Sequence, residues 1–530
     1  MTPKRSWWQH GVVYQIYPRS FMDGNGDGVG DLAGIRARLD HLAWLGIDAI
    51  WLSPIFPSPM KDFGYDVSDY CSVDPVFGDL AELDSLVADA HARGIRVLLD
   101  WVPNHTSDQH PWFLESRASK TAAKRDWYVW RDPALGGGPP NNWTAVFGGP
   151  AWKLDPVTSQ YYLRSFLEEQ PDLNWRNPEV ERAMHGVLRF WLERGIDGCR
   201  IDVIHRIAKD PALRDNPPSE RPGRGWGGQL HVHDENHSDI HAFLRRIRGV
   251  LDEYDERMAV GEIILPPAQV ATYYGKGDEL HLAFNFALVR CAWDARAFGR
   301  ELAAFDSLVP PEGWPDLVLS NHDIPRHASR LDDPALGESR ARAMAVLLLA
   351  ARGTPFLYYG EELGMRNGVI PPERRRDPLA WTLHPNVSRD PERTPMHWSA
   401  APGAGFTTAE PWLPLAGDWP TRNVEAQRAD RGSILWLYRD LLALRRRTPA
   451  LERGAFRELA APEGVLAWER LFAGSRAWVA LNFASESRAA GLAAATVRDG
   501  LRTAAGAELP ANASELVLGP CEAAVLVVDG

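Results

Sequence analysis

Gly198-Cys-Arg-Ile-Asp-Val-Ile204 places a cation and a carboxylate two positions apart inside an otherwise apolar run. If this run is a β-strand, Arg200 and Asp202 point to the same face, because successive side chains alternate across a strand. The guanidinium then favours the ionised form of Asp202, and an ionised, partly desolvated carboxylate is a nucleophile. A lone Arg-x-Asp is usually a structural ion pair, so its interpretation depends on what accompanies it.

Three further polar clusters stand in or after short apolar runs. They are Asp100 to His105 after the run 95–99, Glu262 within the run 259–263, and Ser320 to Asp323 after the run 317–319. In a TIM barrel the carboxyl ends of the strands all face one end of the barrel, so residues from several strands meet in one cleft. The four clusters are therefore expected to converge on a single site.

The chain repeats a strand, a helix and a glycine stop, which is typical of a parallel sheet. We predict helices over 32–45, 80–93, 178–194, 240–254, 340–351 and 434–444, and strands over 12–17, 47–52, 95–100, 196–202, 258–263, 280–286, 317–320 and 355–359. The predicted fold class is α/β: a TIM (β/α)8 barrel formed by residues 1–105 and 175–450.

Two smaller units complete the predicted organisation. Residues 106–174 are rich in Trp, Gly, Pro and Asn and too long for an ordinary loop, which indicates a small domain inserted after the third strand. Short alternating runs after residue 451 predict a C-terminal all-β sandwich domain over 451–530.

Composition restricts the partners and the compartment. The formal net charge of -12 argues against nucleic acid, and no apolar run reaches the ~18 residues of a membrane span. The N-terminus lacks the apolar core of a signal peptide, and the four cysteines show no metal-binding spacing, so we expect free thiols in a cytoplasmic protein. The 22 tryptophans suit the faces of a neutral sugar. We expect a monomer or a homodimer.

A candidate metal loop follows the first strand. Asp23-Gly-Asn-Gly-Asp-Gly-Val-Gly-Asp31 places oxygen ligands at alternate positions with glycines for tight turning, which is what a calcium loop needs. An EF-hand is excluded, because the Glu expected at its twelfth position is Gly34 here. The alternative is a solvated turn before a helix.

Asp202 and Glu262 on neighbouring strands can face each other across one bond. Retaining glycoside hydrolysis needs such a pair about 5–5.5 Å apart, one as nucleophile and one as acid and then base. Arg200 keeps Asp202 ionised in this scheme, and the apolar neighbours of Glu262 raise its pKa so that it carries a proton. Asp323, His105 and His322 then offer partners for sugar hydroxyls, and Tyr65 offers a stacking face.

With these motifs together, the chain resembles the α-amylase superfamily, glycoside hydrolase family thirteen, in its oligo-1,6-glucosidase and α-glucosidase branch. The motifs cover nearly the whole chain. They are Gly11-Val-Val-Tyr-Gln-Ile-Tyr-Pro-Arg-Ser-Phe21, Asp100-Trp-Val-Pro-Asn-His105, Gln170-Pro-Asp-Leu-Asn-Trp175, Gly198 to Ile204, Gly261-Glu262, Asn321-His-Asp323 and Gly353-Thr-Pro-Phe-Leu-Tyr-Tyr-Gly-Glu-Glu-Leu-Gly364.

The resemblance implies Asp202 as nucleophile, Glu262 as acid and base, and Asp323 as stabiliser of the transition state. The residues that it implies for holding the terminal glucose are Asp62, Tyr65, His105, Phe147, Phe166, Gln170, Arg200, His322 and Arg393. Asp62 with Arg393 closes the pocket behind the non-reducing end, which implies exo action. The resemblance also implies a structural Ca2+ held by Asp23, Asn25, Asp27, the Val29 carbonyl and Asp31, and no organic cofactor.

The implied activity is a retaining exo-α-glucosidase acting on short neutral α-glucosides, with some transglucosylation. Val203 after the nucleophile is associated in this branch with α-1,6 activity, but relatives active on α-1,4 bonds or trehalose carry it too. A strict oligo-1,6-glucosidase and a trehalose- or sucrose-active glucosyl-transferring enzyme therefore remain alternatives. A non-catalytic partner of an amino-acid transporter is disfavoured, because it requires a membrane span and has lost the carboxylates kept here at Asp202, Glu262 and Asp323.

Overall fold

The computed structural model describes residues 6–220, 225–384 and 386–529. Its strands, in chain order, are β1 (Val13–Ile16), β2 (Ala49–Leu52), β3 (Arg96–Trp101), β4 (Trp130–Arg131), β5 (Trp152–Asp155), β6 (Gln160–Leu163), β7 (Gly198–Ile201), β8 (Met258–Gly261), β9 (Leu282–Ala283), β10 (Asp316–Val318), β11 (Thr354–Tyr358), β12 (Ala455–Leu459), β13 (Val465–Phe472), β14 (Ser475–Asn482), β15 (Arg488–Ala489), β16 (Val497–Arg502), β17 (Val517–Leu518) and β18 (Ala523–Val528).

The α-helices are Pro18–Phe21, Leu32–Ala37, Leu39–Leu45, Leu80–Ala92, Pro111–Arg117, Pro178–Glu193, Ile240–Leu251, Pro267–Val270, Ala295–Leu308, His327–Arg330, Gly337–Ala350, Leu379–Thr382, Val424–Ala429, Ile434–Arg447 and Pro449–Arg453. Among the described helices, none combines the length and the apolar character needed to cross a bilayer.

Eight parallel strands form the barrel, in the order β10-β11-β1-β2-β3-β7-β8-β9. Val13 of β1 lies opposite Ala49 on one side and Phe356 on the other, so the first strand pairs with both the second and the last. Between β9 and β10, the Asn285 amide donates to Asp316 Oδ1 at 3.3 Å, which bridges the seam by a side chain. The predicted TIM barrel is confirmed.

The alternation of the strands separates two cores. Inward residues such as Val13, Trp51, Val260 and Phe356 fill the barrel interior. Their outward neighbours pack against the surrounding helices in one large apolar cluster. This arrangement buries the strands on both faces and leaves their carboxyl ends as the polar edge.

Two predicted elements differ from the structure. The single helix expected over 32–45 is two helices that meet at Arg38, whose backbone leaves helical geometry (φ -106, ψ 3). The sixth strand, expected over 280–286, pairs only at Leu282–Ala283, because the chain turns away to reach β10 through Asn285. Gly46 ends the second of the two helices with φ 100, as its sequence position predicts.

Two units lie outside the barrel. Between β3 and β7, the strands β4, β6 and β5 form a three-stranded antiparallel sheet. At the C-terminus β12-β13-β14-β18-β16 form a five-stranded antiparallel sheet, and β15 with β17 forms a second small sheet. An apolar cluster that includes Trp478, Leu492, Leu518 and Leu526 packs between these two sheets, so the C-terminal β domain is confirmed.

Candidate active site

A cavity of about 460 Å³ opens at the carboxyl ends of the barrel strands. Eight of the predicted catalytic and substrate residues line it: Asp62, Tyr65, His105, Phe147, Phe166, Asp202, Glu262 and Asp323. The other four, Gln170, Arg200, His322 and Arg393, are buried directly behind that lining and contact it. The sequence clusters therefore converge, although they are far apart in the chain.

Arg200 joins the two carboxylates expected to do the chemistry. Its Nη1 donates to Asp202 Oδ1 at 2.8 Å, and its Nη2 lies 2.8 Å from Glu262 Oε2. The same Glu262 oxygen accepts the Val203 amide at 3.1 Å. One guanidinium thus fixes Asp202 and Glu262 side by side on the cavity floor, as the strand alternation predicts.

Val203 makes this contact from an unusual backbone conformation. Its φ of 34 and ψ of 44 lie in the left-handed region, which β-branched residues rarely adopt. The turn follows Asp202 immediately and aims the Val203 amide at Glu262. Backbone strain of this kind persists where surrounding contacts impose it. Here the contact is the hydrogen bond from the Val203 amide to Glu262.

Opposing effects act on the pKa of Asp202. Burial raises the pKa of Asp202 well above its usual value, and the charges of Glu262 and Asp100 add to the rise, whereas Arg200 opposes it. Arg200 therefore acts in the predicted direction, toward the ionised form of Asp202, against burial and the neighbouring acids. Like charges this close oppose the full ionisation of Asp202 and Asp100.

Asp100 is the third acid on Arg200, and sequence reasoning assigned it no role. Its Oδ1 accepts Arg200 Nη1 at 2.7 Å, while its Oδ2 accepts Trp51 Nε1 and the Tyr65 hydroxyl at 3.1 and 3.0 Å. Burial raises the pKa of Asp100 to about 6, against the opposing effect of Arg200. Its place at the end of β3, in the motif Asp100 to His105, was the signal that could have identified it.

Asp323 has the opposite electrostatic environment. Arg393 Nη2 and Arg389 Nη1 donate to Asp323 Oδ1 at 2.6 and 3.2 Å. Burial acts to raise the pKa of Asp323, but His322, Arg389 and Arg393 together hold it well below its usual range. Asp323 is therefore a fixed negative charge beside the coupled acids, which is what the stabilisation of a developing positive charge requires.

The charge pair at Asp62 departs from the prediction in one residue. Asp62 Oδ1 accepts Arg389 Nη2 at 2.7 Å, whereas Arg393 turns to Asp323 and to the His322 carbonyl. The predicted pairing of Asp62 with Arg393 is wrong. Arg389 precedes a 3-10 turn over Asp390–Arg393, and Arg393 is the last residue of that turn. Arg389 Nη2 also donates to Asp377 Oδ1 at 2.7 Å, which holds Arg389 toward Asp62.

The remaining predicted residues form two hydrogen-bonded groups and one aromatic pair. Tyr65 Oη lies 2.7 Å from His322 Nε2. On the other side of the cavity, Gln170 Nε2 donates to Asp62 Oδ2 at 3.2 Å and lies 3.1 Å from His105 Nε2. The rings of Phe147 and Phe166 meet edge to face, with centroids 5.4 Å apart.

In the predicted metal loop, backbone amides hydrogen-bond to the ligand side chains. Asp23 accepts the amides of Gly26 and Gly28 at 2.6 and 2.9 Å, and Asp31 accepts those of Gly34 and Gly24 at 2.7 and 3.1 Å. Within the described ranges, no three His, Cys, Asp or Glu side chains come together as a metal cluster. The loop supplies many oxygen atoms that could bind a metal ion. In this structure the carboxylates of Asp23 and Asp31 accept hydrogen bonds from nearby backbone amides.

Comparison with known proteins agrees with this geometry. A sequence model of the α-amylase catalytic domain matches residues 15–454. A probable α-glucosidase of Rhizobium meliloti (strain 1021) is 44% identical over 509 residues, 92% of this chain and 91% of that protein. An oligo-1,6-glucosidase of Parageobacillus thermoglucosidasius is 39% identical over 487 residues, 86% of each chain. The solved structure of an α-glucosyl transfer enzyme, XgtA, is similar with a TM-score of 0.90 at 40% identity, over 99% of this chain and 100% of that chain.

The barrel, its paired acids and the pocket define a glycoside hydrolase acting on oligosaccharides. The chain belongs to the α-amylase family, glycoside hydrolase family thirteen, in the branch of the α-glucosidases and oligo-1,6-glucosidases.

Proposed function

We propose that the protein is a retaining exo-acting α-glucosidase, which releases glucose from the non-reducing end of short α-glucosides through a covalent glucosyl-enzyme intermediate. The observation that carries the proposal is the Arg200 guanidinium that bridges Asp202 and Glu262 inside a cavity of about 460 Å³. Two carboxylates held by one guanidinium are close enough to act on the same sugar carbon.

The reaction uses the two acids in turn. Asp202 attacks the anomeric carbon while Glu262 gives a proton to the leaving oxygen, and Glu262 then takes a proton from the water that breaks the intermediate. The fixed charge of Asp323, paired with Arg393, stabilises the positive charge that develops on the ring.

Exo action is supported by the Asp62–Arg389 pair. Both side chains are more than nine-tenths buried, and both line the cavity. A terminal glucose can place its hydroxyls against this charge pair, whereas a continuing chain would collide with it.

Replacing Asp202 with Asn tests the proposal. The neutral amide cannot form the ester, so release of p-nitrophenol from p-nitrophenyl α-glucoside should fall at least about a thousandfold. Asp197 is a matched control, since it is buried beside the start of the same strand and pairs with Arg96 and Arg257. Its Asn variant should lower the melting temperature but keep turnover per folded molecule. Wild-type rates from the Asp202 variant would end the nucleophile assignment.

Two related activities are alternatives: strict α-1,6 cleavage, and glucosyl transfer of the trehalose- or sucrose-active kind. Val203 lines the cavity between the two acids, and the solved relative XgtA is a transfer enzyme. Initial-rate product analysis on maltose, isomaltose, sucrose and trehalose distinguishes these possibilities, since hydrolysis yields glucose from the preferred disaccharide and transfer yields new glucosides.

We further propose that the loop from Asp23 to Asp31 binds a structural Ca2+. Support comes from its ligand density: the side chains of Asp23, Asn25, Asp27 and Asp31 and the Val29 carbonyl lie within nine residues, and Asn25 and Asp27 are exposed. Calcium prefers such oxygen ligands in a flexible loop.

We also propose a cytoplasmic monomer or homodimer that binds no nucleic acid. All four cysteines are free, and three of them are buried, which suits a reducing compartment. The net charge of -12 opposes binding to a polyanion.

A further inference from the structure

Two tryptophans and three arginines form a compact group on the outer surface of the barrel. They come from three helices and one turn, and we call them the arginine–tryptophan patch: Trp44, Arg428, Arg431, Trp436 and Arg439. Arg428 and Arg431 are exposed, and the other three are partly buried. None of the five lines the catalytic cavity, so the glucosidase chemistry gives them no role.

Each guanidinium of the patch lies over an indole ring. The guanidinium carbon of Arg428 is 4.2 Å from the Trp44 centroid, and that of Arg431 is 3.7 Å from the Trp436 centroid. Arg439 contacts both rings, at 4.7 Å from Trp44 and 4.6 Å from Trp436. The two rings meet edge to face with their centroids 5.1 Å apart. A stacked guanidinium keeps its N–H groups along its edge, where they can still donate.

The three positive charges of the patch have no carboxylate partner. Among the described residues, no acidic oxygen lies within 4.0 Å of a guanidinium nitrogen of Arg428, Arg431 or Arg439. Other arginines of this region are paired, since Arg446 on the same helix as Arg439 lies 2.8 Å from Asp48. Stacking accounts for each arginine separately, but it does not account for three like charges collected in a chain whose net charge is -12.

The arginines of the patch are also close to one another. Arg428 and Arg439 share one ring, and Arg431 and Arg439 share the other, so neighbouring charges lie within about 9 Å, inside one Debye length. Burial lowers the pKa of Arg428, and the charge of Arg439 lowers it further. An anion bound between these charges would relieve their repulsion.

Most hydrogen-bond donors of the patch are not used within the protein. Arg428 Nη2 donates to His41 Nδ1 at 3.2 Å, and Arg439 Nε donates to the Trp44 carbonyl at 3.3 Å. In the described part of the chain, the other guanidinium nitrogens of these two arginines and all those of Arg431 have no hydrogen-bond acceptor. A guanidinium fork matches two oxygens of a phosphate group, so the unused donors favour that anion.

We propose that the arginine–tryptophan patch binds a small phosphorylated molecule, as a phosphate ester or as free phosphate, through the forks of Arg428, Arg431 and Arg439. Three guanidiniums on two adjoining rings form a footprint for one or two phosphate groups. A long polyanion would extend beyond the patch onto a chain of net charge -12, which opposes it. The inference is independent of the proposed glucosidase function, because binding is measured without a glucoside.

Isothermal titration calorimetry at constant low ionic strength tests the proposal with four probes: glycerol phosphate, inorganic phosphate, sulfate and glycerol. Both phosphates should bind, sulfate should bind more weakly because its oxygens are weaker acceptors, and glycerol should not bind. The tighter of the two phosphates identifies the source, ester or free anion. If sulfate binds as tightly as the phosphates, the patch holds an adventitious ion only and the proposal fails. It also fails if neither phosphate binds.

Variants connect the binding to the patch. Arg428→Gln and Arg431→Gln should each weaken phosphate binding about tenfold, because each loses charge-assisted hydrogen bonds. Arg446→Gln is the matched control, since it removes an equal charge from the helix Ile434–Arg447 at a residue already paired with Asp48. It should keep the wild-type affinity, and all three variants should keep p-nitrophenol turnover.

Two results with these variants would overturn the assignment. Wild-type affinity in both Arg428→Gln and Arg431→Gln would place the anion elsewhere, and an equal loss in Arg446→Gln would reduce the effect to overall charge. Light scattering examines the competing occupant, a second copy of this chain. A dimer that separates in Arg431→Gln, in a protein that binds neither phosphate, would show that the patch is a contact between copies instead.

Discussion

Arg200 contacts three carboxylates, those of Asp100, Asp202 and Glu262, at 2.7 to 2.8 Å. With one positive charge against three acids, full ionisation would leave the floor of a buried cavity strongly negative. Retaining hydrolysis needs one acid that is charged and one that is protonated, and three acids on one guanidinium oppose full ionisation of the group. The distribution of the proton is a property of the group, which a reading of single residues does not capture.

Glu392 is a further buried acid that lines the cavity, and it gives a prediction about pH. Asn367 donates to its Oε2 at 3.1 Å, and burial raises its pKa to about 8, while Arg393 opposes the rise. The folded state therefore keeps a proton on Glu392 between its ordinary pKa of 4.5 and about 8, where the unfolded chain releases it. Stability from this group is complete below the lower value and is lost as pH rises toward the upper one.

Glu392→Gln should remove that loss, because the amide mimics the protonated carboxyl. The melting temperature of the variant should match that of the wild type near pH 5 and exceed it by a few degrees at pH 8 and above. A thermal melt series over this range measures the difference. Glu373→Gln, at an exposed acid of the same segment, controls for the exchange of carboxyl for amide. Parallel curves for wild type and Glu392→Gln would contradict the assignment.

At the scale of elements, β7 depends on the close approach of Gly198 to β8. A Cβ on Gly198 would lie 2.0 Å from the Met258 carbonyl oxygen, and its φ of 152 disfavours any other residue. Gly198→Ala should therefore displace the strand that carries Arg200. We expect a loss of about 2–4 kcal/mol in the free energy of unfolding, with a fall in kcat, measured by denaturant unfolding and p-nitrophenol release.

Gly186 provides the comparison for this substitution. It lies exposed in the helix Pro178–Glu193, and an added Cβ there meets no atom within 4 Å. Gly186→Ala should stabilise the protein by up to about 1 kcal/mol through helix propensity. If Gly198→Ala behaved like Gly186→Ala, the packing of β7 against β8 would not limit this strand.

Much of the barrel could be predicted, because apolar periods of 2 and 3.6 and glycine stops are local signals. The convergence of Asp202, Glu262 and Asp323 followed from the rule that strand ends share one face. The break at Arg38 carried no Gly or Pro to indicate it. Asp62 pairs with Arg389 and not with Arg393 because of the turn over Asp390–Arg393 and the contact with Asp377. Neither feature produces a periodic pattern in the sequence.

At the scale of the whole molecule, the buried Arg470 attaches the C-terminal domain to the barrel, and the buried Arg445 of the helix Ile434–Arg447 braces the same part of the barrel. Arg470 of β13 donates to the carbonyls of Ala350 and Ala351 at 2.9 and 2.6 Å, at the end of the helix Gly337–Ala350. Arg445 donates to the Leu349 and Gly353 carbonyls at 2.9 Å each. These bonds satisfy carbonyls at a helix end that would otherwise be buried without partners. The β domain therefore caps the barrel and lies remote from the catalytic mouth.

The loop from Asp23 to Asp31 is a second long-range connection, and it gives the last prediction. Thr407 donates its hydroxyl to Asp23 Oδ2 at 2.5 Å, and the Trp412 amide donates to the Gly28 carbonyl at 3.0 Å. The loop thus holds the end of the segment that also carries Arg389 and Val387. If Ca2+ binds there, it stabilises this connection by mass action, since it binds the folded state preferentially.

Chelation should therefore lower the melting temperature, by several degrees when the ion is fully removed, and added Ca2+ should restore it. Asp27→Asn is the sharper variant, because Asp27 is exposed and its loss removes a ligand charge without opening the core. It should weaken the Ca2+ dependence of the melt while leaving the chelated protein close to wild type. A melting temperature that is the same with chelator and with Ca2+ would mean that the backbone amides and Thr407 alone hold the loop, and that the segment carrying Arg389 needs no ion to keep its place at the cavity.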